Sequence, residues 1–328
     1  LMETNLEQQD GYGEDRYCRE AADAIRARLD KETAVIHFLS GGTQTNLIAI
    51  SAFLRPHEAA IAAETGHILV HETGAIEATG HKIISMPSVG GKLTAASIEL
   101  AVDAHTDEHM VKPALVYISQ STEIGSIYGK PELEEIREVC DRNHLLLFID
   151  GARLGSALMA EGCDVTLADM ARLADAFYIG GTKNGALLGE ALVISNPVLQ
   201  ADFRYHLKQK GALLAKGRLI GLQFREMFRD NLYFDLALHA NRMAAKLREG
   251  IAAAGYPFLT DSATNQIFPI LPNNLVEKMQ QWYGFYVWAP VTASTSTIRL
   301  VTSWATPEDM VSAFLEDFSR ENLQIGRA

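Results

Sequence analysis

An apolar run that ends in an acid, Leu145-Leu146-Leu147-Phe148-Ile149-Asp150-Gly151-Ala152-Arg153, indicates the architecture of this chain. Five consecutive apolar residues followed by a short polar turn predict a strand that is buried on both faces. Similar short apolar runs occur at residues 34–39, 114–119, 176–179 and 191–194. Strands of this kind are typical of a mainly parallel sheet that is covered by helices on both sides.

Helical patterns lie before and between these strands. We predict helices over residues 14–29, 43–54, 94–104, 131–143 and 154–161, where apolar residues recur at helical spacing. The alternation of strands and helices predicts a doubly wound α/β domain.

The predicted large α/β domain covers residues 33–232 and follows an N-terminal segment and helix at residues 1–32. A smaller C-terminal α+β domain is predicted at residues 233–328. Its predicted elements are a helix over 234–254, a strand over 266–271, a helix over 274–282, strands over 285–291 and 297–302, and a final helix from Thr306. We expect the aromatic residues at 282–288 in the core of this domain or in a subunit contact.

The composition limits the classes of protein to which the chain can belong. It has 328 residues, a formal net charge of −12, 48% hydrophobic residues and 21% charged residues. These values are typical of a globular protein, and the acidic balance argues against nucleic-acid binding. No apolar run is long enough to span a bilayer. Three scattered cysteines without a C-x-x-C pair indicate a reducing, cytoplasmic setting. Since the first residue is Leu1, we expect further residues to precede it.

Three positions directly after predicted strands could carry chemistry, because ligands of an open parallel sheet bind beyond the carboxyl ends of its strands. Residues 40–46, Ser-Gly-Gly-Thr-Gln-Thr-Asn, could bind a phosphate at a helix start or could form an ordinary helix cap. Asp150 ends an apolar strand, where it needs a cationic partner unless it caps the next helix. Lys183 lies among small and polar residues at the end of another strand, which is unusual for a solubilising lysine.

The ordered set of these segments resembles the threonine aldolases. It comprises residues 12–15, 40–46, His67, 150–153, Thr182-Lys183 and 298–302, and it covers most of the chain. Threonine aldolases are pyridoxal-phosphate enzymes of the aspartate-aminotransferase fold, within the threonine aldolase and β-eliminating lyase group. The resemblance therefore implies a PLP-dependent transferase-like large domain with pyridoxal 5′-phosphate as its cofactor.

The resemblance also implies roles for individual residues. Lys183 would form a Schiff base with the cofactor, and Asp150 would pair with the pyridine nitrogen and keep it protonated. His67 would stack on the cofactor ring. Arg153 and Arg299 would bind the substrate carboxylate, because a guanidinium fork suits a planar anion. The complete cofactor-binding set that is implied is Gly42, Thr43, His67, Asp150, Arg153, Thr182, Lys183 and Lys216.

Three segments depart from the pattern of the aldolases, and the mildest change is Thr182-Lys183 in place of Ser-Lys. The family carries Glu-Asn-Thr-His-Asn where this chain has Ser119-Gln120-Ser121-Thr122-Glu123, so the histidine near the substrate hydroxyl is missing. Glu123, a water molecule or His71 could accept the hydroxyl proton instead, or the reaction could be a different one. Residues 211–218 replace a family segment that contains arginine, and Lys216 could supply the cation near the phosphate.

The favoured function is cleavage of L-threonine or L-allo-threonine to glycine and an aldehyde, with Lys183, His67 and Glu123 as catalytic residues. The alternatives are a β-eliminating lyase on the same fold, a non-catalytic binding protein that keeps the fold and, less well supported, a nucleotide-binding α/β protein. We expect a homo-oligomer, a dimer or tetramer, that binds an amino acid and neither nucleic acid nor a membrane. No metal site is predicted, since His105 and His109 fit a solvated helix end.

Overall fold

The computed structural model describes residues 1–325 and contains a seven-stranded sheet and a smaller four-stranded sheet. The order in the large sheet is β1-β7-β6-β5-β4-β2-β3. Its strands are β1 (Val35–Leu39), β2 (Glu58–Ala63), β3 (Ile83–Met86), β4 (Lys112–Ser119), β5 (Leu146–Asp150), β6 (Ala176–Gly180) and β7 (Glu190–Ile194).

The large sheet is mainly parallel, as the apolar runs predict. Every pairing among strands β2 to β6 is parallel, whereas β7 pairs antiparallel with both β1 and β6. Because β7 runs in the opposite direction, its first residue lies at the edge where the parallel strands end. This residue, Glu190, pairs with Gly180 at the end of β6.

Two strands of the large sheet, β2 and β3, are absent from the sequence-based prediction. Strand β2 has the sequence Glu-Ala-Ala-Ile-Ala-Ala, and alanine has the highest intrinsic helix propensity. Its five residues from Ala59 to Ala63 are all buried, so packing between β3 and β4 overrides the local preference. Strand β3 has only four residues, too few for a periodic pattern.

Helices cover both faces of the large sheet and complete the small domain. They are α1 (Arg16–Arg26), α2 (Gly42–Phe53), α3 (His67–Val70), α4 (Ala95–Asp103), α5 (Lys130–Arg142), α6 (Leu154–Leu158), α7 (Leu167–Leu173), α8 (Phe203–Gln209), α9 (Arg218–Arg229), α10 (Leu232–Ala253), α11 (Asn273–Met279) and α12 (Glu308–Ile325).

The helix predicted over residues 14–29 begins later, because the Asp15 carboxylate accepts a hydrogen bond from the Cys18 N–H at 2.9 Å and caps α1. The helix predicted over residues 154–161 ends at Leu158. A left-handed glycine, Gly162, lies in the turn that follows.

The small domain is built on four short antiparallel strands. They are β8 (Gln266–Ile267), β9 (Ile270–Pro272), β10 (Tyr286–Pro290) and β11 (Thr295–Val301). The single strand predicted over residues 266–271 is two strands that pair with different parts of β11. A separate core holds this domain together, with Ile267 and Leu275 packed against Phe314 and Phe318.

Two further apolar cores lie in the large domain. Helix α10 contributes Tyr233 to one of them and Met243 and Ile251 to the core of the small domain. The predicted boundary at residue 232 therefore falls at the first turn of a helix that contacts both cores, and it stays a prediction. Within the described residues, no helix combines the length and the apolar character needed to cross a membrane. The three cysteines are free thiols.

Candidate active site

A cavity of about 580 Å³ opens where the carboxyl edge of the large sheet meets the small domain. Large-domain side chains line one side and residues of β8, β10 and β11 line the other. The lining residues are His67, His71, Glu123, Arg153, Lys183, Gln266, Tyr286, Val287, Trp288 and Arg299. The structure thus brings together six side chains that the sequence singles out: His67, His71, Glu123, Arg153, Lys183 and Arg299.

Asp150 is buried at the end of β5 and is held entirely by neutral donors. Its carboxylate accepts hydrogen bonds from the hydroxyls of Tyr117 and Tyr178, both at 2.5 Å, and from Asn46 Nδ2 at 3.1 Å. The Ala152 N–H donates at 2.9 Å. Burial opposes ionisation, but these hydrogen bonds outweigh it and hold the pKa of Asp150 below its ordinary value.

No cation of the described chain pairs with Asp150, although the sequence alone suggests that it needs one. Nor does its side chain cap a helix, since Arg153 is the N-cap of α6 and Asp150 accepts from Ala152 in a local turn. The result is an ionised, buried carboxylate that has no positive partner among residues 1–325. Such a group fits a protonated pyridine nitrogen, the partner that pyridoxal phosphate would provide.

The Asp150-Gly151 step is determined by close backbone packing. A β-carbon on Gly151 would overlap the carbonyl oxygen of Tyr178 in the neighbouring strand. A β-carbon on Gly180 would overlap the Ala152 carbonyl in the same way. Glycine at both positions lets the ends of β5 and β6 approach each other, which places Asp150 and the turn after β6 at one site.

Lys183 lies in the short 3₁₀ turn Thr182–Asn184 that follows β6. Desolvation in the cavity and the nearby charge of Arg153 lower its pKa. Its ammonium makes no ion pair with an acid of the described chain. Thr182 supports the turn, because its hydroxyl accepts a hydrogen bond from the Gly189 N–H at 3.0 Å. Lowering the pKa of a lysine favours the neutral amine, which is the nucleophilic form.

The two arginines face the same cavity. Desolvation and the charge of Arg299 lower the pKa of Arg153 to about 10. Neither guanidinium forms an ion pair in the part of the chain that the structure describes, and Arg299 Nε is buried without a hydrogen-bond partner. Together with Lys183, they place three cationic side chains around one cavity with no acidic partner within 4.0 Å among residues 1–325. This arrangement is costly unless an anion binds between them.

His67 is held by a carboxylate that the sequence analysis missed. Its Nδ1 lies 2.8 Å from Oε1 of Glu72, whose side chain is fully buried. Asn46 Nδ2 donates to the same Glu72 oxygen at 2.7 Å and therefore bridges Glu72 and Asp150. His67, Glu72 and Asp150 offer atoms within 4.8 Å of one another, but these hydrogen bonds already connect them. No spacing rule links residues 46, 72 and 150, so the sequence contains no local signal for this network.

Glu123 and His71, the two side chains that the sequence offers as acceptors of the hydroxyl proton, both line the cavity. One oxygen of Glu123 accepts from Ser119 Oγ at 2.7 Å and from the His67 backbone N–H at 3.0 Å, and burial raises its pKa. The His71 ring centroid lies 5.5 Å from that of His67. Desolvation and the charges of His67 and Arg299 lower the pKa of His71, which favours the neutral imidazole.

The predicted phosphate site lies at the start of α2. Helix geometry leaves the first N–H groups, those of Gly42 and Thr43, without intrahelical acceptors. A β-carbon on Gly42 would lie 3.0 Å from the Tyr178 hydroxyl. The start of α2 therefore packs directly against the tyrosine that donates a hydrogen bond to Asp150. Lys216 is exposed in the loop before α9 and does not line the cavity. The phosphate roles of Gly42, Thr43 and Lys216 stay predictions.

Comparison with known proteins agrees with this geometry. The family model described as beta-eliminating lyase matches residues 2–273. A low specificity L-threonine aldolase from a Pseudomonas species is 32% identical over 93% of this chain and 88% of its own length. The solved structure of Leishmania major threonine aldolase is 50% identical, covers 98% of this chain and 94% of its own, and has a TM-score of 0.96. A mutant of Thermus thermophilus aspartate aminotransferase is 17% identical over 97% of this chain and 85% of its own. Its TM-score of 0.71 shows a shared fold.

The comparisons confirm the family and the fold class that the sequence predicts. The family model spans most of the chain, and the relatives above match it almost from end to end. The chain belongs to the β-eliminating lyase family and is a pyridoxal-phosphate-dependent lyase.

Proposed function

We propose that this enzyme is an aldolase that cleaves β-hydroxy-α-amino acids, such as L-threonine and L-allo-threonine, to glycine and an aldehyde. The observation that carries the proposal is the set of three basic side chains, Lys183, Arg153 and Arg299, around one cavity, none of which has a carboxylate oxygen within 4.0 Å among residues 1–325. An amino-acid carboxylate and a phosphorylated cofactor are anions that such a cavity accommodates. Relatives named as low specificity L-threonine aldolases support the same substrate class.

The residues at the cofactor end of the site fit pyridoxal phosphate. When bound, pyridoxal phosphate supplies an electron sink for the charge left at the α-carbon as a bond to that carbon breaks. Lys183 would hold it through Nζ, because the lowered pKa of this lysine favours the neutral amine. Asp150 would meet the pyridine nitrogen, since its carboxylate is ionised and lacks a cation. His67, fixed by Glu72, would contact the face of the ring.

The substrate end of the site would recognise an α-carboxylate. Arg153 and Arg299 would bind this group, and Glu123 and His71 line the same cavity, where either could meet the β-hydroxyl. We propose Glu123 as the group that accepts the hydroxyl proton, because its oxygen is held by Ser119 and by the His67 backbone. His71 is the second candidate, and its lowered pKa favours the neutral form that a base requires.

Product analysis tests the proposal. The enzyme loaded with pyridoxal phosphate is incubated with L-threonine, and glycine, acetaldehyde, 2-oxobutanoate and ammonia are measured. An aldolase releases glycine and acetaldehyde in equal amounts, and Lys183→Ala abolishes both. Release of 2-oxobutanoate and ammonia in place of glycine would assign the chain to β-elimination. If the enzyme releases neither set of products from any hydroxy amino acid, the aldolase proposal fails and a non-catalytic role is favoured.

The choice between Glu123 and His71 requires matched substitutions. Glu123→Gln and His71→Asn keep similar volumes and remove the titrating group. If Glu123 is the base, Glu123→Gln reduces kcat by about 100-fold or more and His71→Asn by much less. The reverse ranking would assign the base to His71.

We also propose that two or more copies complete the site, and that the enzyme acts in the cytoplasm as a dimer or tetramer. Support comes from Thr182 next to Lys183, which is exposed in the single chain, and from Leu187, which is 78% exposed. Such exposure next to a catalytic lysine suits coverage by a partner. The three free cysteines are consistent with a reducing compartment. Sedimentation velocity measures the assembly, and a monomer at all concentrations would contradict it.

A further inference from the structure

Arg299 is stabilised by aromatic rings. Its Cζ lies 5.2 Å from the centroid of the Tyr286 ring and 5.3 Å from that of the Trp288 ring. Both distances are within the range of cation–π contacts. We call Tyr286 and Trp288 together the aromatic clamp.

The geometry of β10 explains how two rings reach one guanidinium. Tyr286 pairs directly with Arg299 across the strands β10 and β11. The register then shifts between Val287 and Ala289, so Trp288 lies in an irregularity of the strand. Such irregularities turn a side chain away from the ordinary alternation of a strand. Phe268 fixes the Trp288 ring by an edge-to-face contact with centroids 5.3 Å apart.

Aromatic support has a consequence that a carboxylate partner would not have. An acid such as the Asp175 that pairs with Arg137 occupies guanidinium N–H groups and neutralises the charge. An aromatic face stabilises a cation through its ring electrons and takes none of the N–H donors. In the described chain, no side chain or backbone oxygen accepts a hydrogen bond from Arg299, so its donors remain available in the cavity.

We propose that Tyr286 and Trp288 are positioning residues that hold Arg299 by cation–π contact and keep its N–H donors free for the α-carboxylate of the substrate. This inference rests on the proposed function, which assigns that carboxylate to Arg153 and Arg299. The inference adds that recognition of the carboxylate depends on the aromatic character of the side chains at positions 286 and 288, and not only on the size of these side chains.

Substitution by phenylalanine or leucine separates aromatic character from volume. The variants are Tyr286→Phe, Tyr286→Leu, Trp288→Phe and Trp288→Leu, each loaded with pyridoxal phosphate. We expect each leucine variant to raise the KM for L-threonine and the Kd for glycine by about 3- to 30-fold. The kcat should stay within about twofold of the wild-type value, since the lost contact acts on binding. The phenylalanine variants should retain most of the affinity.

Another cation–π pair, which lies outside the cavity, provides the matched control. Arg320 Cζ lies 5.5 Å from the centroid of the Trp282 ring, and neither residue lines the cavity. Trp282→Leu should therefore leave the KM and the Kd for glycine unchanged. Thermal unfolding of every variant monitors folding, and Tyr286, which is 70% exposed, is the position least able to disturb it.

A double-mutant cycle identifies the group through which the clamp acts. In an Arg299→Leu background, Tyr286→Leu should have no further effect on glycine affinity, because the two substitutions remove the same interaction. Equal effects of leucine and phenylalanine, a fall in kcat at unchanged KM, or additive losses in the cycle would each overturn the inference.

Glycine affinity, measured by calorimetry, does not depend on the reaction catalysed. If the wild-type enzyme binds glycine but releases other products from threonine, the aldolase proposal fails while the clamp is still tested. If the wild-type enzyme binds no glycine, both proposals fail.

Discussion

The buried carboxyl of Glu190 allows a quantitative prediction about stability and pH. Glu190 is 5% exposed at the start of β7, and its Oε2 accepts a hydrogen bond from the Gly181 N–H at 2.9 Å. Burial raises its pKa from 4.5 to about 7, against the opposing effect of hydrogen bonds from Gly181 and Thr182. The folded state therefore holds the Glu190 proton more tightly than the unfolded state does.

The sign and the size of the effect follow from this difference. The stability that the protonated carboxyl contributes is fully present below pH 4.5 and is lost as the pH rises through about 7. Each pH unit between these values corresponds to about 1.4 kcal/mol, so the whole interval corresponds to about 3 kcal/mol in the free energy of unfolding. Glu190→Gln removes the titrating group and should remove this loss.

Urea unfolding of both proteins, loaded with pyridoxal phosphate, tests the prediction at several pH values from about 4.5 to about 8.5. The stability of Glu190→Gln relative to the wild type should rise by about 3 kcal/mol across this range. Glu161→Gln, at an exposed carboxylate, controls for surface charge and should show no such trend. A difference between Glu190→Gln and the wild type that does not change with pH would refute the reasoning.

Three further substitutions test the network around Asp150 and His67. Tyr178→Phe removes a donor 2.5 Å from Asp150, so the pKa of Asp150 should rise and the acid limb of the kcat/KM profile should move up by about one pH unit. An unchanged acid limb contradicts this, and the exposed Tyr205→Phe is its control. Glu72→Gln leaves His67 with a weaker acceptor, so kcat/KM should fall by about tenfold, whereas the exposed Glu77→Gln should have no effect. Equal activity of Glu72→Gln and Glu77→Gln would show that His67 needs no charged partner. Gly151→Ala places a β-carbon against the Tyr178 carbonyl and should destabilise the protein by about 3 kcal/mol or more in urea unfolding. Gly284→Ala, where an added β-carbon meets nothing, should cost little, and similar stability of the two alanine variants would contradict the steric argument.

Much of the architecture is determined by local sequence. Burial on both faces favours mainly apolar residues, so the runs that become β1, β4, β5, β6 and β7 are visible without tertiary information. Asp150 and Lys183 are conspicuous for the same reason, because charged groups directly after such runs are costly unless they have a function. Strands β2 and β3 are the exceptions. The alanines of β2 favour a helix, and only its place between two strands makes it extended, whereas β3 has too few residues for a pattern.

Only the tertiary structure decided the partners of the functional groups. The sequence suggests a cation for Asp150, yet its side-chain donors are Tyr117, Tyr178 and Asn46, which lie 28 to 104 positions away. Glu72 and the aromatic clamp leave no signature either, because a hydrogen bond or a cation–π contact depends on distance in space. The reversed direction of β7 likewise brings Glu190 to the edge where the other strands end. Apolar periodicity is a property of neighbouring residues and survives in the sequence, whereas the chemistry of this site arises from groups that only folding brings within contact distance.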